Sequence, residues 1–126
     1  MQNVISLSVA ALIAVAVSVI GCLYLVSPQR MVGTFGLRLP SPDADTRAWL
    51  RLKGVRDVGC GLAVLILMLT VDKRSLGIAL LALAIIPFGD MSVVLGSGGS
   101  KLKAISIHGL TCAVMLVVGL LLIHAI

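Results

Sequence analysis

Four apolar stretches, at residues 4–26, 49–71, 75–95 and 105–126, approach or exceed the length that a helix needs to cross a membrane. That length is about 20 residues for a hydrocarbon core of about 30 Å. Such stretches leave few choices. In lipid every backbone N–H and C=O must be satisfied within the protein, and a lone segment does this only as an α-helix. Composition agrees: 60% of the 126 residues are hydrophobic, 12% are charged and glutamate is absent, where a soluble domain carries roughly 25% charge. Mean hydropathy is +1.18. The expected fold is all-α, an integral membrane four-helix bundle in one domain over residues 1–126. Helices are expected near 4–26, 42–71, 75–95 and 104–126. Short connections make neighbours antiparallel, giving an up-down topology.

The connections carry their own signals. Residues 27–41 form the longest, and Met31–Leu37 within it is apolar but too short to span. This run lies on the membrane surface or folds back over the bundle end as a lid. Asp72-Lys73-Arg74 reads as a tight turn, and Gly96–Ser100 as a flexible linker. Before the second helix, Ser41 suits the cap, Pro42 the first helical position, and Asp43 and Asp45 the positive helix end. Trp49 then sits at the headgroups. In the first helix Ser6, Ala10, Ala14, Ser18 and Cys22 recur at steps of four, a small-residue stripe for close helix contact. Its start, Met1-Gln2-Asn3, lacks the basic region of a secretory leader, and Val19–Cys22 only loosely resembles a lipoprotein cleavage box.

Charge gives orientation. Arg30, Arg38, Arg47, Arg51, Lys101 and Lys103 flank the first and third connections, against Lys73 and Arg74 on the other face. The positive-inside rule places the first face in the cytoplasm and both termini outside a plasma membrane. The net charge of +5 does not point to nucleic acid, because aromatic residues make up only 3% of the chain and the cations border apolar spans. Cys22, Cys60 and Cys112 lie in apolar runs with no CxxC pair, so they read as packing residues.

Antiparallel geometry brings distant polar residues together. Lys53, Arg56 and Asp57 fall in the first half of the second helix, Asp90 near the end of the third and His108 near the start of the fourth. Tyr24 ends the first helix at the same face. Charge at bilayer depth costs from about 2.5 to over 10 kcal/mol per group, so it is usually paired and usually functional. Lys53 and Asp57 are one turn apart and can pair. Arg56 points about 100° away from Asp57 on an ideal helix, and Asp90 is its expected partner. Pro87 frees a carbonyl and kinks the third helix beside Asp90, while Gly54, Gly59 and Gly61 thin the second. Each residue also has a plain structural role open to it: Lys53 snorkelling to the interface, the carboxylates as counter-ions, His108 as a satisfied interface histidine. His124 reads as surface.

The run Lys53-Gly54-Val55-Arg56-Asp57-Val58-Gly59-Cys60-Gly61, followed by Pro87, Asp90 and His108, resembles a family of small four-helix membrane proteins catalogued as a domain of unknown function (DUF4267). That family is similar in turn to the wider DoxX/DoxD-like group. The resemblance covers nearly the whole chain and implies a four-helix fold without a settled activity. Members that neighbour biosynthetic genes suggest small-molecule chemistry, by analogy alone.

Three functions fit the residues. In the first, a membrane enzyme acts on a small lipophilic substrate: His108, Asp57 and Asp90 do acid-base chemistry, and Arg56, Lys53 and Tyr24 bind the substrate. Isomerisation, cyclisation, dehydration or epoxide opening would suit it, with no cofactor. In the second, a proton-coupled carrier uses the carboxylates as its relay, and a homo-oligomer would supply the polar exit path that the far half of the bundle lacks. In the third, a non-catalytic subunit or assembly factor uses its helix faces for partners. Metal binding is not expected, because Lys53 and Arg56 would repel a cation and no ligand spacing is present. The bilayer and a small lipophilic molecule are the expected partners.

Overall fold

The computed structural model describes residues 1–38, 41 and 43–124, and no strand occurs among them. The helices are α1 (Gln2–Val26), α2 (Pro28–Phe35), α3 (Ala44–Thr70), α4 (Lys73–Leu83), α5 (Ile85–Gly96), α6 (Lys101–Lys103) and α7 (Leu110–His124), with a π-helical stretch at Ala104–Gly109. Among the described residues three stretches are long and apolar enough to cross a membrane: Asn3–Val26, Lys73–Gly96 and Lys101–His124. At 27 residues α3 is the longest helix, about 40 Å at 1.5 Å per residue. Its first half carries Arg47, Arg51, Lys53, Arg56 and Asp57, which sets it apart from the other three.

Close helix pairs build the body. Chiefly α1 packs on α3 and α4 on α7, while α1 also touches α7. In the first pair Gly21 and Gly54 face each other: a Cβ on either would stand 2.7 Å from the other's carbonyl oxygen. About two turns further, a Cβ on Gly61 would fall 2.5 Å from the carbonyl of Ala14. In the second pair Gly77 and Gly119 meet in the same way, at 2.6 and 2.9 Å. Small residues allow backbones to approach, so dispersion contacts hold helices together where lipid offers no hydrophobic drive. The expected stripe on α1 holds at Ser6, Ala10 and Ala14, all nearly or fully buried. At its end the contact passes to Gly21, and Cys22 is exposed; a four-residue step overshoots the 3.6-residue turn and drifts off the face. Likewise Gly59 meets nothing, so only Gly54 and Gly61 thin α3 against a neighbour.

Several boundaries differ from expectation. Asp43, not Ser41, caps α3, accepting from the Thr46 N–H at 2.7 Å; Pro42 lies outside the described residues. Hydrogen bonds from Thr46 hold the Asp43 carboxyl below its ordinary range. Asp72 caps α4 through the Ser75 N–H at 3.1 Å and hydroxyl at 2.7 Å. The third long helix breaks at Ala84, three residues before Pro87. Proline lacks the N–H that would serve the Leu83 carbonyl, so the break has the expected cause. The fourth begins with a short turn capped by Ser100 and then widens into the π stretch that contains His108.

The first and third connections are ordered against each other. Residues 28–35 form a helix, with Pro28 at its start and Gly36 in the left-handed region (φ 103°) at its end. The GSGGS segment is no free linker. Ser100 donates its N–H to the Gly36 carbonyl at 2.7 Å, and a Cβ on Gly99 would stand 2.6 Å from the same oxygen. An apolar cluster of Ala10, Val64, Leu76, Leu80, Met115, Val118 and Leu122 fills the opposite half of the bundle.

Candidate functional site

A cavity of about 360 Å³ opens between α1, α2, α3, α4–α5 and the π stretch. Its walls are apolar, from Ile13, Val17 and Ile20 on one side to Leu83, Ile86 and Met115 on the other. Its polar side chains gather toward the α2 end: Tyr24, Thr34, Lys53, Asp57, Asp90 and His108 all line it. Five helical segments therefore converge there, one of them α2, which lies in a stretch expected as a connection.

An ion-pair frame stands at this end. Lys53 donates to Asp57 Oδ2. Arg56 donates to Asp57 Oδ1 through Nε at 3.3 Å and Nη2 at 3.2 Å, and its Nη2 reaches Asp90 Oδ2 at 3.3 Å. Arg56 thus bends back to its own neighbour and bridges to α5 as well, whereas helical spacing alone pointed it only across. A long guanidinium with several donors permits this. Arg56 does not line the cavity and keeps 42% of its side chain exposed, so it braces the two carboxylates from outside. Two cations and two carboxylates sum to zero charge. Asp57 has both oxygens engaged, while among the described residues Asp90 uses only Oδ2, on Arg56.

Lys53 does not snorkel. Its ammonium lies 4.5 Å from the Tyr24 ring centre and 4.9 Å from that of Phe35. Two aromatic faces and one carboxylate replace the water it would otherwise hold. The lysine stem and α2 are thereby fixed to each other.

His108 is buried. Its Nε2 lies 3.0 Å from the Phe35 carbonyl, and its ring lies 4.5 Å from that of Phe35, tilted by 60°. A carbonyl only accepts, so Nε2 carries the proton and a neutral ring keeps its lone pair on Nδ1. No hydrogen bond joins His108 to either carboxylate among the described residues. The π stretch holding this histidine is a geometry often found at functional sites.

The last turn of α2 is latched from three directions. Tyr24 and Thr34 donate to the Met31 carbonyl at 3.1 and 2.6 Å. Lys103 donates to Gly33, His108 to Phe35 and Ser100 to Gly36. The carbonyls of Gly33 and Phe35, which the helix end leaves unpaired, are thus taken up. Sequence reasoning left open whether this run covers the bundle; Met31, Thr34 and Phe35 form part of the cavity wall. The signal was present in Ser27-Pro28 and Phe35-Gly36, a helix start and stop pair eight residues apart. Cys60 also lines the cavity, one turn beyond Asp57. The other cysteines do not: Cys112 is buried, with its thiol 3.5 Å from the Ala84 carbonyl. His124 is exposed.

No curated protein and no solved structure matches the chain. A family model described as a domain of unknown function (DUF4267) matches residues 14–122, which include every residue of the cavity's polar end. The chain belongs to that family.

Proposed function

We propose that this protein is a membrane-embedded four-helix bundle, of antiparallel up-down topology, that performs acid-base chemistry on a small lipophilic molecule in one leaflet. The fourth crossing is α3, whose charges are neutralised within the frame of Lys53, Arg56, Asp57 and Asp90. The observation that carries the function is the cavity itself: an apolar chamber of about 360 Å³ that ends in ionisable groups. Pockets of this make-up bury a ligand's apolar body and orient it by a few polar contacts. His108 Nδ1 and Asp90 Oδ1 are basic atoms with a lone pair to spare, so they serve as the base and proton relay. Asp57 is committed to two cations and holds the frame. The packed apolar half beneath, from Val64 and Leu80 to Leu122, favours an enzyme with one mouth over a carrier with two.

Binding is tested with a total lipid extract of the host membranes as the probe. The extract is expected to raise the melting temperature of the detergent-purified protein. It should leave Cys60→Trp unmoved, because an indole there fills the chamber. An equal rise in both proteins would place the binding elsewhere.

The basic connections favour an orientation with the polar end in the cytoplasmic leaflet and the termini outside. In a background without native cysteines, a membrane-impermeant maleimide should label Gln2→Cys in intact cells and spare Ser97→Cys. Position 97 is suited to this because its residue is exposed, whereas Gly99 is packed on Gly36. Labelling at 97 alone would invert the orientation.

A further inference from the structure

The cavity's hydrogen-bonding inventory is one-sided. Every hydroxyl and imidazole donor that lines it is already spent on the protein, and the one ammonium is held by a carboxylate and two aromatic faces. Tyr24 and Thr34 give their hydroxyl protons to the Met31 carbonyl. Thr111 gives its own to Ile107 at 2.6 Å. His108 gives Nε2–H to Phe35. The Lys53 ammonium faces Asp57 and two aromatic rings. Helical backbone N–H groups are spent within the helices, and the Cys60 thiol is a weak donor.

Acceptors remain. Asp90 keeps Oδ1 and His108 keeps Nδ1. The oxygens of Tyr24 and Thr34 retain lone pairs after donating. Leu83 lines the cavity, and its carbonyl lacks the helical partner that Pro87 cannot supply. The frame is also charge-neutral, so a charged ligand would either break a pair or bring an unpaired charge into an apolar chamber.

We propose that the site takes an uncharged lipophilic compound that donates a hydrogen bond, an alcohol or phenol, and discriminates against the corresponding ketones and carboxylates. The inference rests on the cavity being the ligand site proposed above. A ketone would meet acceptors with an acceptor and leave buried lone pairs unanswered, whereas a hydroxyl answers one and presents its proton to the base. Sites built to pair with a hydroxyl reject analogues that lack it far more strongly than apolar pockets reject a change of size.

The test uses 1-decanol and 2-decanone at equal mole fraction in liposomes holding a Cys22→Ser, Cys112→Ser protein. The readout is the rate at which N-ethylmaleimide alkylates Cys60 inside the cavity. Decanol is expected to protect Cys60 at a mole fraction about tenfold below that of decanone. Asp90→Asn turns an amide N–H into the chamber and is expected to erase that preference. If Cys60 proves unreactive, the melting temperature of the same protein is read with the same order expected. Equal or better action by decanone overturns the ligand class and leaves the cavity as the site. No effect of either compound overturns the cavity as the site.

Discussion

Asp57→Asn is expected to destabilise the protein by about 3–5 kcal/mol, the loss that follows when one partner of a buried ion pair is removed. Asp57 is 7% exposed and answers two cations at once, Lys53 through Oδ2 and Arg56 through Oδ1. Asparagine keeps the shape and removes the charge, so Lys53 and Arg56 are left against Asp90 alone. Asp90→Asn should cost less. It removes one bond to an arginine that is 42% exposed and still paired with Asp57. Thermal melts of the three proteins in the same detergent give the order wild type, Asp90→Asn, Asp57→Asn. Equal melting temperatures would mean that the charges face water rather than one another.

His108→Ala should show the opposite balance. The imidazole can be neutral, so its loss strands no charge. The Phe35 carbonyl loses its donor, a cost of about 1–3 kcal/mol for a buried group left unpaired. Folding should survive this. Turnover should not: removing a positioned general base typically lowers a rate by about 10²–10⁴-fold. The pair of variants therefore separates frame from chemistry. In the proposed reading one carboxylate holds the helices together and the histidine handles the proton. A His108→Ala protein that is folded and fully active would leave Asp90 as the base.

What the sequence revealed follows from which interactions are short-range in it. Apolar runs of about 20 residues announce membrane helices directly, and antiparallel connection then brings Lys53, Asp57, Asp90 and His108 to one end. The Lys53–Asp57 pair was visible as a one-turn spacing. The dual reach of Arg56 was not, because helical angles describe where a side chain starts and a guanidinium travels far from that point. The role of α2 was hidden for a different reason. Its apolar face reads equally as a membrane-surface segment, and only the tertiary fold shows Phe35 against His108 and Lys53. The GSGGS run looked like a linker by composition, yet Gly98 (φ 69°) and Gly99 are there to let the chain turn and touch Gly36. The π stretch had no sequence signal. It lies where the fourth helix packs against α5.

Proton transfer inside the cavity is measured most directly by isotope. Liposomes made with host-membrane lipid extract in D₂O would carry wild-type protein, His108→Ala at equal folded amount, or no protein. Mass spectrometry would follow the lipophilic constituents over time. The expected result is a deuterium-shifted or newly formed lipophilic species with wild type, about 10²-fold slower or more with His108→Ala, and absent from the protein-free liposomes. Wild-type liposomes identical to the protein-free ones, or identical to those carrying His108→Ala, would contradict a proton-transfer site built on His108.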